Sequence, residues 1–147
     1  MQIRLAEYKD LESISAVMLE IFESRMQEKY SDEGKKAFRE LISLSSLQKR
    51  FLSENLFYIS MDGTTVKGVL ELEKPCHIAF LFVKQEGKGL GTKLCYEALD
   101  KSTEALCTVG AIEESIGFYE HLGFMQVAEQ REVNDMSFTL MAKVTEG

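Results

Sequence analysis

His77-Ile78-Ala79-Phe80-Leu81-Phe82-Val83, followed two residues later by Glu86-Gly87-Lys88-Gly89-Leu90-Gly91-Thr92, is the stretch whose reading decides the fold. Its first half is an almost unbroken apolar run. That is the pattern of a strand covered on both faces, so residues 77–83 are expected to form a central strand. In its second half glycine alternates with other residues, and Leu90, Leu94, Cys95, Ala98 and Leu99 then recur at helical spacing. The glycines therefore sit where a strand hands over to a helix. Unpaired backbone N–H groups and the positive end of the helix dipole converge at such a junction, and glycine lets an anion approach the backbone. Lys84, Lys88 and Lys93 outnumber the single acid, Glu86, within this stretch.

Toward the N-terminus, residues 2–6 alternate as a short strand. Asp10 is placed to cap a helix whose apolar positions are Leu11, Ile14, Val17, Met18 and Ile21. Ser31 is expected to cap a second helix with a buried stripe of Ala37, Phe38, Leu41 and Ile42, and Ser45 or Ser46 to start a third. Residues 56–61 and 66–73 read as strands joined by an Asp62-Gly63 hairpin turn. Toward the C-terminus the pattern predicts a strand over 105–109, a helix over 113–122 and a final strand pair ending near Lys143. Strands flanked by helices on both sides give an α/β (α+β) three-layer architecture with a β-helix-β unit in its second half.

The 147 residues suit one domain, in which roughly 70% of the unfolded chain's surface can be buried. No run approaches the ~18 apolar residues of a membrane span, so a cytoplasmic protein without a membrane partner is expected. Cys76, Cys95 and Cys107 are odd in number, lack C-x-x-C spacing and read as reduced core thiols. A net charge of −7 argues against a nucleic-acid partner, whose phosphates need clustered Lys and Arg, and suits a cationic or amine substrate.

The turn is not a Walker A loop, because no Gly-Lys-Ser or Gly-Lys-Thr closes it. It is not a dinucleotide fingerprint either, because Thr92 stands where G-x-G-x-x-G needs its last glycine. It resembles the phosphate loop of the GNAT superfamily of acyl-CoA-dependent N-acetyltransferases: Gln or Arg, any, any, Gly, any, Gly or Ala. Glu86, Gly89 and Gly91 fill the fixed slots. Downstream, Thr108-Val109-Gly110-Ala111 and Ile116-Gly117-Phe118-Tyr119-Glu120-His121-Leu122-Gly123-Phe124 resemble that family's fifth strand, fourth helix and F-Y-x-x-L-G-F signature. The resemblance runs continuously over residues 76–127. Departures are Glu86 for Gln or Arg, Gly110 for a common Asn, and a turn after Val83 about two residues short of the usual length.

The resemblance implies one N-acetyltransferase domain over 1–147. Its fold would be a GNAT-like three-layer arrangement with a mixed, mostly antiparallel sheet of about six or seven strands flanked by helices. The strands at 77–83 and 105–109 would splay so that pantetheine hydrogen-bonds in the gap. Acetyl-CoA would be the cosubstrate, met by Leu81, Phe82 and Val83, by Gly87, Lys88, Gly89, Leu90, Gly91 and Thr92, and by Phe118. Because a carboxylate repels pyrophosphate, Glu86 is expected to face solvent or pair with Lys84 or Lys88, leaving the backbone of residues 87–91 to bind phosphate. The implied chemistry is direct attack of a primary amine on the thioester in a ternary complex, with no metal. Tyr119 would protonate the departing thiolate, and Glu71, Glu73 or His77 would be the base. By alternation Glu71 and Glu73 share one face of their strand.

Tyr30, and the loop Arg131-Glu132-Val133-Asn134, fall where this fold lines its acceptor site. The acceptor is expected to be a small-molecule amine or a peptide, and the resemblance implies a homodimer. Two other classes stay open: a non-catalytic acyl-CoA-binding module, suggested by Glu86 and Gly110, and a nucleotide-binding protein using the glycine turn.

Overall fold

A computed structural model describes residues 1–133 and 136–145, which form five α-helices and one open eight-stranded sheet. The strands are β1 (Gln2–Leu5), β2 (Leu56–Asp62), β3 (Thr65–Glu73), β4 (His77–Val83), β5 (Leu106–Ile112), β6 (Met125–Gln126), β7 (Arg131–Val133) and β8 (Met136–Val144). Their order is β1-β2-β3-β4-β5-β8-β6, with β7 also on β8. Every pairing is antiparallel except β4 with β5. The helices are α1 (Leu11–Ile21), α2 (Asp32–Leu41), α3 (Leu44–Leu52), α4 (Leu90–Asp100) and α5 (Ile116–His121).

Side-chain alternation along the strands divides the core into two layers. Phe57 and Ile59 of β2, Val69 of β3 and Phe82 of β4 pack under the α1–α3 side with Leu11, Ile14, Val17, Met18 and Ile21. Tyr58, Leu70 and Leu72, one residue out of step, pack under α4 and α5 with Leu94, Cys95, Ala98 and Leu99, as does Ile78, which one extra residue in β4 turns to that face. This is the expected three-layer architecture, with eight strands rather than six or seven. The final strand pair is in fact β6, β7 and β8, and β5 extends to Ile112 rather than stopping at 109.

Local differences have physical reasons. Asp10 does not cap α1: its carboxylate accepts from Arg4 at 2.9 and 3.2 Å and from the Glu7 amide at 2.7 Å, so Arg4 holds it below the usual carboxylate range. Ser31 caps α2 as expected, accepting from the Gly34 amide at 3.1 Å, whereas α3 is capped two residues early by Ser43, which accepts from the Ser46 amide. The cysteines are free and buried, and burial pushes the Cys95 thiol up to about 12. No described helix is long and apolar enough to cross a membrane.

Candidate active site

The parallel pair β4–β5 is joined only at its start, where His77 lies opposite Thr108 and Ile78 opposite Val109. At the same level β4 carries one extra residue: Glu71 pairs with Phe80 but Leu72 with Ile78, which leaves Ala79 unmatched. A bulge bends the strand that carries it. Here the bend coincides with the parting of β4 from β5, and beyond it the facing strand edges have no ladder to join. Backbone polar groups left this way in the interior need partners. Ala79 to Phe82 on one side and Val109 to Ile112 on the other line a cavity of about 350 Å³.

His77 sits at the apex, its Nδ1 2.7 Å from Thr108 Oγ1. Tyr119, from the second residue after Gly117 on α5, also lines the cavity; its ring lies edge-on to Phe118 and Phe124. Burial pushes its phenol well above its ordinary value, so it remains protonated across the physiological range. Tyr30, buried, lines the opposite wall, where its ring meets Phe22 and Phe38 edge-on.

The glycine turn closes the end of β4. Gly87 and Gly89 have φ of +79° and +75°, the left-handed region that disfavours other residues, and a Cβ on either would meet nothing within 4 Å. Gly89 is the N-cap of α4 and supplies no side-chain cap, and the first turn of α4 carries no acid. The turn is thus an open backbone cradle at a helix N-terminus. Gly91 is glycine for a different reason: a Cβ there would lie 3.3 Å from Phe118 Cζ and 3.6 Å from Leu81 Cδ2, so α4 meets β4 and α5 through it. Glu86 is exposed, and Lys84 pairs with Glu20 at 3.5 Å rather than with Glu86.

The three candidate bases are not brought together. Glu71 is fully buried, but its carboxylate accepts from Arg50 Nε at 2.6 Å, Arg50 Nη2 at 3.1 Å and Asn55 Nδ2 at 2.8 Å, and it does not line the cavity. Glu73, at the exposed strand end, borders a separate groove with Glu54 and Lys74. Sharing a strand face therefore does not give these two glutamates a shared environment. Val83 and Phe118 pack beside the α4 layer rather than in the cavity. Residues 131–133 are strand β7 rather than loop, Val133 does reach the cavity, and Asn134 lies outside the described residues.

Several cavity residues carry no sequence signal that points to a site, although Phe38 and Leu41 were legible as members of a helical stripe. Met26, Phe38, Leu41, Ser115 and Phe138 line the cavity from four separated segments. Arg25, in a wide π-helical turn after α1, donates to the carbonyls of Lys84 at 3.0 Å and of Val83, fixing the end of β4 ahead of the glycine turn. Such contacts join residues about sixty positions apart, which helical or strand periodicity does not report.

Residues 26–145 match the family described as "Acetyltransferase (GNAT) domain". The chain belongs to the GNAT acetyltransferase family. It is an acyltransferase, and the matched span holds the splayed strands, the glycine turn and the signature helix of this GNAT domain. No curated protein matches it significantly. Among solved structures it resembles a GCN5-related N-acetyltransferase from Rhodopseudomonas palustris, with TM-score 0.80 and 24% identity over 97% of this chain and 94% of that one. It also resembles the PaiA N-acetyltransferase of Thermoplasma acidophilum, solved in complex with coenzyme A, with TM-score 0.80 and 22% identity over 98% and 99% of the two chains. The apo-form of YjaB from Escherichia coli gives TM-score 0.72 and 21% identity over 98% and 97%. At these identities the likeness is one of fold, and the GNAT fold is the one described above.

Proposed function

We infer that the protein is a single-domain N-acetyltransferase that moves an acetyl group from acetyl-CoA to a primary amine. The observation that carries this reading is the single cavity running from the parted β4–β5 edges to Tyr119. The glycine cradle at the α4 N-terminus lies outside its lining and adjoins it through Gly91, which packs against the cavity residue Leu81, so an extended thioester can run from the cradle to meet an amine in the chamber. The unpaired strand edges suit the two amides of pantetheine, and the backbone of residues 87–91 suits the pyrophosphate. Gly87 and Gly89 leave room for it, while exposed Glu86 stays outside. That the fold relative from Thermoplasma acidophilum was solved with coenzyme A supports the fit.

In the reaction the amine lone pair attacks the thioester carbonyl carbon, the C–S bond breaks, and the thiolate takes the phenolic proton of Tyr119. His77 is the base of choice because, of Glu71, Glu73 and His77, it alone lines the cavity. When its Nδ1–H donates to Thr108 Oγ1, Nε2 is left to accept the amine's proton. A lysine-like amine with pKa near 10.4 costs about 4.6 kcal/mol to deprotonate at pH 7, whereas an α-amine near 7.8 costs about 1 kcal/mol. Dependence on His77 should follow that difference.

A thiol-release assay over a panel of primary amines, run beside a thermal-shift titration, tests the reading. The expected result is stabilisation by acetyl-CoA but not by ATP or NAD, with CoA released in step with acetylated amine. Stabilisation without release from any amine would instead establish a non-catalytic acyl-CoA-binding module.

A further inference from the structure

The acceptor end of the cavity is walled by aromatic rings and open at an apolar mouth. Phe22 stacks on Phe38 with centroids 4.5 Å apart, and the edges of Tyr30 and Phe38 meet at 5.3 Å. Phe38 in turn meets Phe80 at 5.8 Å, and Phe80 stacks on Phe82 at 5.9 Å. Of these, Tyr30, Phe38, Phe80 and Phe82 line the cavity, joined by Phe138 from β8. The rings bridge α2 to β4 and reach the strand edge where the thioester would lie.

Two side chains at the mouth are out of place for a finished core. Leu41 belongs to the apolar stripe of α2 but is 47% exposed, because the end of the stripe overhangs the cavity instead of the sheet. Val133, across the mouth on β7, is 51% exposed. Exposed apolar side chains rimming a cavity mark surface that a ligand would cover. Among the described residues no carboxylate lines this cavity. Among the acids adjacent in sequence to lining residues, Glu114 beside Ser115 pairs with Lys29 at 3.0 Å, while Glu33, Glu40 and Glu132 are exposed and do not enter the lining. A second positive charge carried inside the cavity would lose its hydration with no carboxylate in the described lining to replace it. A single amine that gives up its proton to react leaves no such charge behind.

The geometry points to an acceptor that is a primary amine carried on an aromatic body with no second charge. Its ring lies against Phe38 and Phe80 under Leu41 and Val133, and its nitrogen is turned toward His77 and Tyr119. Flat rings pack well edge-on or offset against such a wall. This assignment rests on the acetyl-transfer reading above.

The test is steady-state acetylation of 2-phenylethylamine, ethanolamine and spermidine at saturating acetyl-CoA, with acetyl-CoA thermal stabilisation recorded in parallel. Apolar pockets discriminate by about tenfold or more per buried group, so kcat/KM for 2-phenylethylamine should exceed the other two by at least about tenfold. Leu41→Asn, at a half-exposed position that leaves the ring cluster intact, should lower that kcat/KM about five- to tenfold through KM, with the KM for acetyl-CoA unchanged. Spermidine or ethanolamine equal to or better than 2-phenylethylamine overturns the acceptor class while leaving acetyl transfer standing. So does acetyl-CoA stabilisation with no turnover of 2-phenylethylamine. No stabilisation by acetyl-CoA and no thiol release overturns the acetyl-transfer reading, and the acceptor class with it.

Discussion

Tyr119→Phe is expected to lower kcat roughly 10- to 100-fold near pH 7 while acetyl-CoA binds as tightly as before. The size follows from the leaving group. A thiol of pKa near 8.5 released as thiolate at pH 7 is about 2 kcal/mol uphill of its protonated form, and proton delivery recovers at most that much. Burial holds the phenol of Tyr119 above its ordinary value, so it is protonated whenever the thiolate needs a proton. The sign of the pH effect follows. On the same arithmetic the deficit grows as pH falls below about 8.5, where the thiolate must be protonated, and shrinks toward nothing as pH rises to and past that value. A pH–rate profile of both enzymes under chemistry-limited conditions checks this. An unchanged rate at pH 7, or a deficit that grows with pH, would remove Tyr119 as the acid. Ring packing alone does not predict the pH dependence, because phenylalanine preserves the contacts with Phe118 and Phe124.

Glu71→Ala should act on stability instead. The change strands the Arg50 guanidinium and the Asn55 amide, which together make three hydrogen bonds to a carboxylate with no exposed surface. Removing one member of a buried pair costs about 3 to 5 kcal/mol; the lower figure applies here, because 22% of the Arg50 side chain still reaches water. In a chain of this length that corresponds to a fall in Tm of roughly 10 °C. Arg50 also lies over the ring of Phe80, 5.5 Å from its centroid, so the pair supports the bulged part of β4 from below. Glu73→Gln, at an exposed strand end, should stay within about 0.5 kcal/mol of the parent. Denaturant unfolding of the variants decides the matter. A Glu71→Ala protein of normal stability whose kcat has collapsed would make Glu71 the base and contradict the structural role given to it here.

These outcomes bear on what a sequence can carry. β4 was legible to the residue because six of its seven positions are apolar, and α4 because five apolar residues keep helical spacing behind a glycine turn. The parting of β4 and β5 was expected from resemblance alone; periodicity has no term for a bulge, and nothing about Ala79 marks it as the unmatched residue. The pattern placed the end of β5 at Val109, three residues early, while the resemblance already carried the strand through Gly110 and Ala111. Gly110 sits exposed and uncrowded beside the cavity, where a side chain is least needed. β7 was read as loop; its three residues, Arg131-Glu132-Val133, are too few for strand alternation to show.

Among the proposed site residues, the glycine turn could be picked out by its own spacing, whereas Tyr119 and His77 were named through the family resemblance. The face of Glu71 was also legible. Its partner was not, since Arg50 reaches it across 21 positions by folding α3 over β3. The acceptor wall shows the same limit: Phe38 belongs to a helical stripe by spacing, and only tertiary packing turns its edge toward Tyr30 and Phe80.

Coenzyme A is expected to lie with its pyrophosphate on the backbone of residues 87–91 and its pantetheine between β4 and β5. An amide NMR titration with coenzyme A measures this directly. The largest shifts should fall on the amides of residues 87–92, with a second group at Ala79 to Leu81 and Gly110 to Ile112. Saturable shifts that leave both groups unmoved, or shifts of residues 87–92 with ATP but not with coenzyme A, would contradict it.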